Sequence, residues 1–114
     1  MNPLRIACDF TDTIEDHQNV KPGYKLGPPV KDAVEALNKL KAQGAIIVIF
    51  SVWANGEAQR RAMGEWLRFF NVPYDFITNT KPDCDVYLDN KALRFETWEK
   101  ALLDLHELGY TEGK

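Results

Sequence analysis

Asp9, Thr11, Asp12 and Thr13 stand together in one short stretch, and Ser51, Lys81 and Asp89 follow at long intervals. These are the residue types from which a phosphate-handling site is built. Two carboxylates and a hydroxyl make a hard, oxygen-rich site of the kind that holds Mg²⁺ together with water and a substrate phosphate. A lysine within reach would complete the clamp. Each residue also has a plainer reading. An aspartate followed by threonines is common turn and capping chemistry, Ser51 can simply end a strand, and Lys81 can be a solvated loop lysine. The choice depends on whether the fold brings them to one place.

The elements that would do so are legible in the hydrophobic pattern. Residues 4–8 have the length and apolar character of a buried strand, with Asp9 at its end. Residues 15–27 are polar, carry the turn signal Pro22-Gly23, and read as a flap or long loop; His17 within it is expected to face solvent. Pro28 and Pro29 suit the first turn of a helix whose apolar face is Val30, Ala33, Val34, Leu37 and Leu40, closed by Gly44. A second strand over 45–50 ends in Ser51. Asn55 can cap a second helix with Ala58, Ala62, Met63, Trp66, Leu67 and Phe70 on one face, stopped by Asn71-Val72-Pro73. Short strands are expected at 76–77, 85–89 and 92–95. A last helix presents Trp98, Ala101, Leu102, Leu105 and Leu108 and ends at Gly109, so Trp66 and Trp98 are both expected in the core.

Strands alternating with helices predict a parallel sheet with right-handed crossovers. The expectation is one Rossmann-like, three-layer α/β domain over residues 1–114, with a mostly parallel sheet of about five strands and a short tail at 110–114. In such a sheet all strand C-termini share one edge, so Asp9, Ser51 and Asp89 converge. Lys81 precedes its strand, and reaches that edge only if the loop before it folds over.

With 114 residues, the chain is long enough for a core but too short for a separate substrate-covering domain. A net charge of -3 gives no electrostatic reason to expect a nucleic-acid partner. No apolar run approaches the roughly 18 residues of a membrane span, and there is no charged-then-apolar leader, so no membrane association is expected. Cys8 and Cys84 lie in or beside apolar runs, which predicts reduced thiols and a cytoplasmic location.

The segment 6–14 resembles the first motif of the haloacid dehalogenase superfamily of phosphohydrolases, an apolar strand followed by Asp-x-Asp-Gly-Thr and an apolar residue. Ser51 is placed like the second motif and Lys81 like the third. Val86-Tyr87-Leu88-Asp89-Asn90-Lys91-Ala92 is similar to the fourth. The resemblance spans about residues 4–105. It implies that Asp9 is a nucleophile forming an aspartyl phosphate, and that its other oxygen and the Thr11 carbonyl hold Mg²⁺ with Asp89 and Asn90. Ser51 would hydrogen-bond the phosphoryl oxygens, and Lys81 would neutralise charge, a role for which Lys91 competes. Asp12, Thr13, Trp53 and Asn55 are the candidate substrate-side residues.

Three positions depart from the pattern. Thr11 stands where the superfamily has an Asp that protonates the leaving group and activates water, a loss worth about 10²–10⁴ in rate. P-type ATPases, in the same superfamily, also carry threonine there. Asp12 takes the usual glycine position, and Asn90 stands where a second acid is common. The expected function is Mg²⁺-dependent hydrolysis of phosphate monoesters with weakened turnover. The alternatives are a non-catalytic metal- or phosphate-binding module of the same fold and, less favoured, a phosphoacceptor receiver domain, which needs more helices and a central acceptor strand. Without a cap, the phosphorylated substrate would be selected by the 15–27 flap, by Trp53, or by another subunit of a homo-oligomer covering the site.

Overall fold

The computed structural model describes residues 3–110, and the expected tail lies almost wholly outside them. The order is β1 (Arg5–Asp9), a 3-10 turn (His17–Asn19), α1 (Ala33–Ala42), β2 (Ile46–Phe50), α2 (Glu57–Phe69), β3 (Phe76–Thr78), β4 (Val86–Leu88) and α3 (Trp98–Glu107). Every strand pairing is parallel, in the order β3-β2-β1-β4. The α/β class is as expected, but the sheet has four strands rather than about five. Residues 92–95 form no strand. Directly after β4 the Lys91 N–H donates to Asp89 Oδ1 at 2.8 Å, an Asx turn that diverts the chain before a further strand can align.

The Ile-Ile-Val-Ile-Phe run of β2 is branched or aromatic throughout because β2 is a central strand, paired on both sides. Register places Ile6 beside Ile47 and Cys8 beside Ile49, so these four share one face of the sheet. The crossovers β1-α1-β2 and β2-α2-β3 step the same way along the sheet, and right-handed connections then put both helices on one face. Accordingly Leu37 of α1 and Met63, Trp66 and Leu67 of α2 join Cys8, Ile47 and Ile49 in a single core. Each side chain fully buried there contributes about 1.5–3 kcal/mol.

Two helix starts differ from expectation. Pro28 and Pro29 belong to the base of the flap: Pro28 C=O accepts from Asp16 N–H at 2.7 Å, and Pro29 bridges Glu15. A residue without a donor serves there through its carbonyl, and α1 begins four residues later at Ala33. Gly56, not Asn55, is the N-cap of α2, with no side-chain cap bond. The expected stops hold. Gly44 and Gly109 adopt φ of 94° and 84° after α1 and α3, and Asn71 adopts φ 59° after α2.

The opposite sheet face is covered differently. From β3 the chain reverses across β2 and β1 to reach β4, with residues 79–85 and no helix in between; the Tyr87 hydroxyl donates to the Pro82 carbonyl of this connection. Asp85 N–H bonds Arg5 C=O, and Arg5 N–H bonds Asp85 Oδ2, tying the start of β4 to β1. No residue of α3 is buried. Trp98, expected in the core, is 75% exposed. The 3.6-residue apolar pattern is present on α3, but nothing described in the chain covers it.

Candidate functional site

The reversal in strand order between β1 and β4 creates a crevice at their C-terminal ends, the place where open α/β sheets bind ligands. Register pairs Cys8 with Leu88. One step further, Asp9 and Asp89 are therefore neighbours on adjacent strands, whose backbones run about 4.8 Å apart. Both carboxylates line a cavity of about 650 Å³ together with Ala7, Phe50, Lys81 and Tyr87. Lys81 reaches it because the 79–85 connection folds over the sheet, and its Nζ lies 5.0 Å from the centre of the Tyr87 ring, a cation–π contact.

Burial holds the Asp9 carboxyl above the ordinary carboxylate range, and the neighbouring Asp89 charge pushes it the same way. The Phe10 N–H, the Thr13 hydroxyl and the Lys91 charge act against this rise. Thr13 Oγ1 donates to Asp9 Oδ2 at 3.4 Å, and accepts from Asn90 N–H at 3.2 Å. Thr13 and Asn90 thus link the ends of β1 and β4 directly. Burial, then Asp9 and Asp89, push the Cys8 thiol up to about 12, so this free, buried cysteine is a packing residue rather than a nucleophile.

Thr11 and Asp12 owe their positions to a tight turn. Ile14 and Glu15 N–H both donate to Phe10 C=O, and Asp12 N–H donates to Glu15 C=O at 2.6 Å. This bridge runs around Thr11 and leaves the Thr11 carbonyl out of the pairing. Asp12 has φ 59°, in the left-handed region. Glycine suits such a position best, and Asp is among the few side chains that tolerate it. Its carboxylate is turned to the flap, accepting from His17 N–H at 2.9 Å and Gln18 Nε2 at 3.1 Å. It therefore serves as a strut rather than as a substitute acid.

Not every candidate gathers here. Ser51 follows Phe50, the register partner of Asp9, but its hydroxyl accepts from Trp53 N–H at 3.2 Å and does not line the cavity. Trp53 and Asn55 lie outside it on the exposed β2-α2 loop. Glu15 is a residue whose weight the sequence does not reveal. It is fully buried, and its Oε2 accepts from Gly27 N–H at 2.6 Å and lies 3.1 Å from His17 Nδ1. Trp66 Nε1 donates to Gly27 C=O at 2.9 Å, and a Cβ at Gly27 would collide with the Asp16 carbonyl. Together these contacts clamp the flap base beside the Asp9 turn. A lone acid in a polar loop carries no pattern by which to foresee this.

Among the described residues, no group of three or more His, Cys, Asp or Glu is set to hold a metal ion. The edge offers Asp9, Asp89 and the Thr11 carbonyl. That donor set suits Mg²⁺, which usually keeps several waters and takes only one or two carboxylates, and the repulsion between Asp9 and Asp89 is what a cation would relieve. The described residues contain no helix long and apolar enough to cross a membrane.

No family model and no curated protein matches the chain. Among solved structures, the conserved protein coded by a locus from Bacteroides thetaiotaomicron is similar, with 21% sequence identity and a TM-score of 0.62 over 96% of this chain and 94% of that one. At that identity the likeness shows a shared fold alone, an α/β domain built on an all-parallel sheet.

Proposed function

We propose that the chain is a Mg²⁺-dependent phosphohydrolase of the haloacid dehalogenase type, acting on phosphate monoesters through Asp9. The observation that carries this reading is the pairing of Asp9 and Asp89 at the β1/β4 switch point, in one cavity with Lys81 and under the charge of Lys91. An Asp9 oxygen attacks phosphorus, the P–O bond to the leaving group breaks, and an aspartyl phosphate forms; water then attacks phosphorus and releases phosphate. Thr13 orients the Asp9 carboxylate, while Lys81 and Lys91 offset the charge of the incoming phosphate. Mg²⁺, held by Asp9, Asp89 and the Thr11 carbonyl, would supply charge stabilisation at the phosphoryl oxygens.

Thr11 cannot protonate a leaving group near neutral pH, and Asp12 is committed to the flap. The leaving group therefore departs unassisted, which favours aryl and acyl phosphates over alkyl phosphates, and the aspartyl phosphate is hydrolysed slowly. Purified protein is expected to release phosphate from an aryl phosphate only with Mg²⁺. The Asp9→Asn variant is expected to lose that activity, and full activity in the variant contradicts the mechanism. Thr11 also favours a second reading, a binding module of the same fold that turns nothing over. Calorimetric binding of Mg²⁺ and phosphate without any turnover would select it.

A further inference from the structure

The chain carries two apolar surfaces that complement each other and do not meet. One is α3 with its approach: Phe95 and Trp98 stack edge to face with centroids 5.1 Å apart, and Leu102 and Leu108 continue the stripe. The other is the β4 edge and the segment after it, where the half-exposed Tyr87, Leu88 and Leu93 line the trough that ends at Asp9 and Asp89. The consequence is visible in the shape. The Cα radius of gyration is 16.0 Å, against about 13 Å for a compact chain of this length.

We infer that a second copy of this chain supplies the missing layer. In a two-fold dimer each α3 lies in the partner's trough and covers its β4 edge, so each subunit becomes a three-layer domain through the other's helix. The surfaces occur in equal numbers and are self-complementary, as an isologous exchange requires. Asp89 and Asn90 are tied down by the Asx turn and by the Asn90–Thr13 bond, so the chain leaves β4 on a fixed heading that carries α3 outward. Covering the exposed parts of Phe95, Trp98 and Tyr87 removes roughly 300 Å² per chain at about 150–250 Å² per aromatic. The leucines of both surfaces bring this toward the roughly 800 Å² per partner of a stable interface. The helix seats on the apolar stretch, leaving the Asp9–Asp89 end open toward phosphate and walling one side of it.

This interface stands on burial and complementarity and not on the chemistry of Asp9, so the two can fail separately. In a chain with Cys8→Ala and Cys84→Ser, the added pair Tyr87→Cys and Leu102→Cys is expected to give a disulfide-linked dimer on oxidation. Each added cysteine alone should give none. An intrachain disulfide in monomer overturns the proposal, because α3 then returns to its own sheet. Light scattering on the unmodified chain is expected to give twice the chain mass, and Trp98→Glu with Leu102→Glu to give the single mass with helical content retained. A monomer at every concentration overturns the proposal as well.

Discussion

Two aspartates at opposite edges of the same sheet are held in opposite ways. Asp75, just before β3 at the N-terminal edge, accepts from Lys41 Nζ with both oxygens at 2.7 Å and from Ile47 N–H at 2.8 Å. Burial opposes ionisation there, yet the lysine and the N–H together hold its carboxyl below the usual range. Asp9, at the C-terminal edge, has another carboxylate as its neighbour, and its carboxyl is held above that range. Asp75 is satisfied by the fold. Asp9 is left beside a like charge, and such perturbed groups cluster at functional sites. The difference separates a residue that stabilises the sheet from one that costs stability, a cost for which the proposed reaction at Asp9 would account.

The most severe way to break that contrast is to exchange the effects of the two residues. Asp9→Asn is expected to lower Mg²⁺-dependent turnover on the order of 10⁴-fold or more, the scale of losing a nucleophile. Asp75→Asn should leave turnover within a few-fold. Comparable losses in both variants, measured on an aryl phosphate, would show that no functional division exists. Next in size is Thr11→Asp, which places an acid beside the proposed nucleophile and is expected to raise turnover by about 10²-fold or more. Unchanged steady-state rates would mean that position 11 does not face the leaving group.

Stability should divide the other way. Asp75→Ala removes three hydrogen bonds from a partly exposed pair, and denaturant unfolding is expected to show a loss of about 1–2 kcal/mol after allowance for solvent screening. Asp9→Asn is expected instead to raise the Tm of the metal-free protein slightly, since an isosteric amide removes the repulsion with Asp89. Mg²⁺ should stabilise the unmodified protein and not this variant. The pH dependences have opposite signs. Asp75, with its folded pKa lowered, adds stability above the ordinary carboxylate pKa and loses it as pH falls through the lowered value. Asp9, with its folded pKa raised, costs stability at neutral pH, and that cost is relieved as pH falls through the raised value. Melting curves of the two Asn variants across the acidic range should therefore diverge from the parent in opposite directions.

Much of this was legible in the sequence, for physical reasons. Continuous branched runs such as Ile-Ile-Val-Ile-Phe have few uses other than a buried parallel strand, and an acid at the end of one lands on the shared edge. The α2 stripe, with Met63, Trp66 and Leu67, is buried as its period implies. The same logic misplaced Trp98, because periodicity states which side of a helix is apolar and not what covers it. Residues 92–95 lacked a template once the Asx turn at Asp89 redirected the chain. Pro28 and Pro29 fit a helix start by rule, but the flap uses the Pro28 carbonyl, and Val30 N–H bonds Ile14 C=O on the other side of Pro29. At the site, Asp9, Lys81 and Asp89 line one cavity, while Ser51, expected to converge with the two aspartates, does not line it. Lys91, whose charge bears on Asp9, was visible only as a competitor to Lys81, and the burial of Glu15 follows from tertiary packing that no local pattern encodes.

The central claim is that Asp9 is the group that accepts the phosphoryl. On the proposed mechanism Thr11 leaves the second step slow, so the covalent form should accumulate. Incubation with acetyl phosphate and Mg²⁺, followed by acid quench and mass analysis of the Asp9 peptide, is expected to show the added mass of one phosphoryl group. The addition should be absent without Mg²⁺ and absent in Asp9→Asn. No incorporation, or incorporation that persists when Asp9 is replaced, would contradict the account.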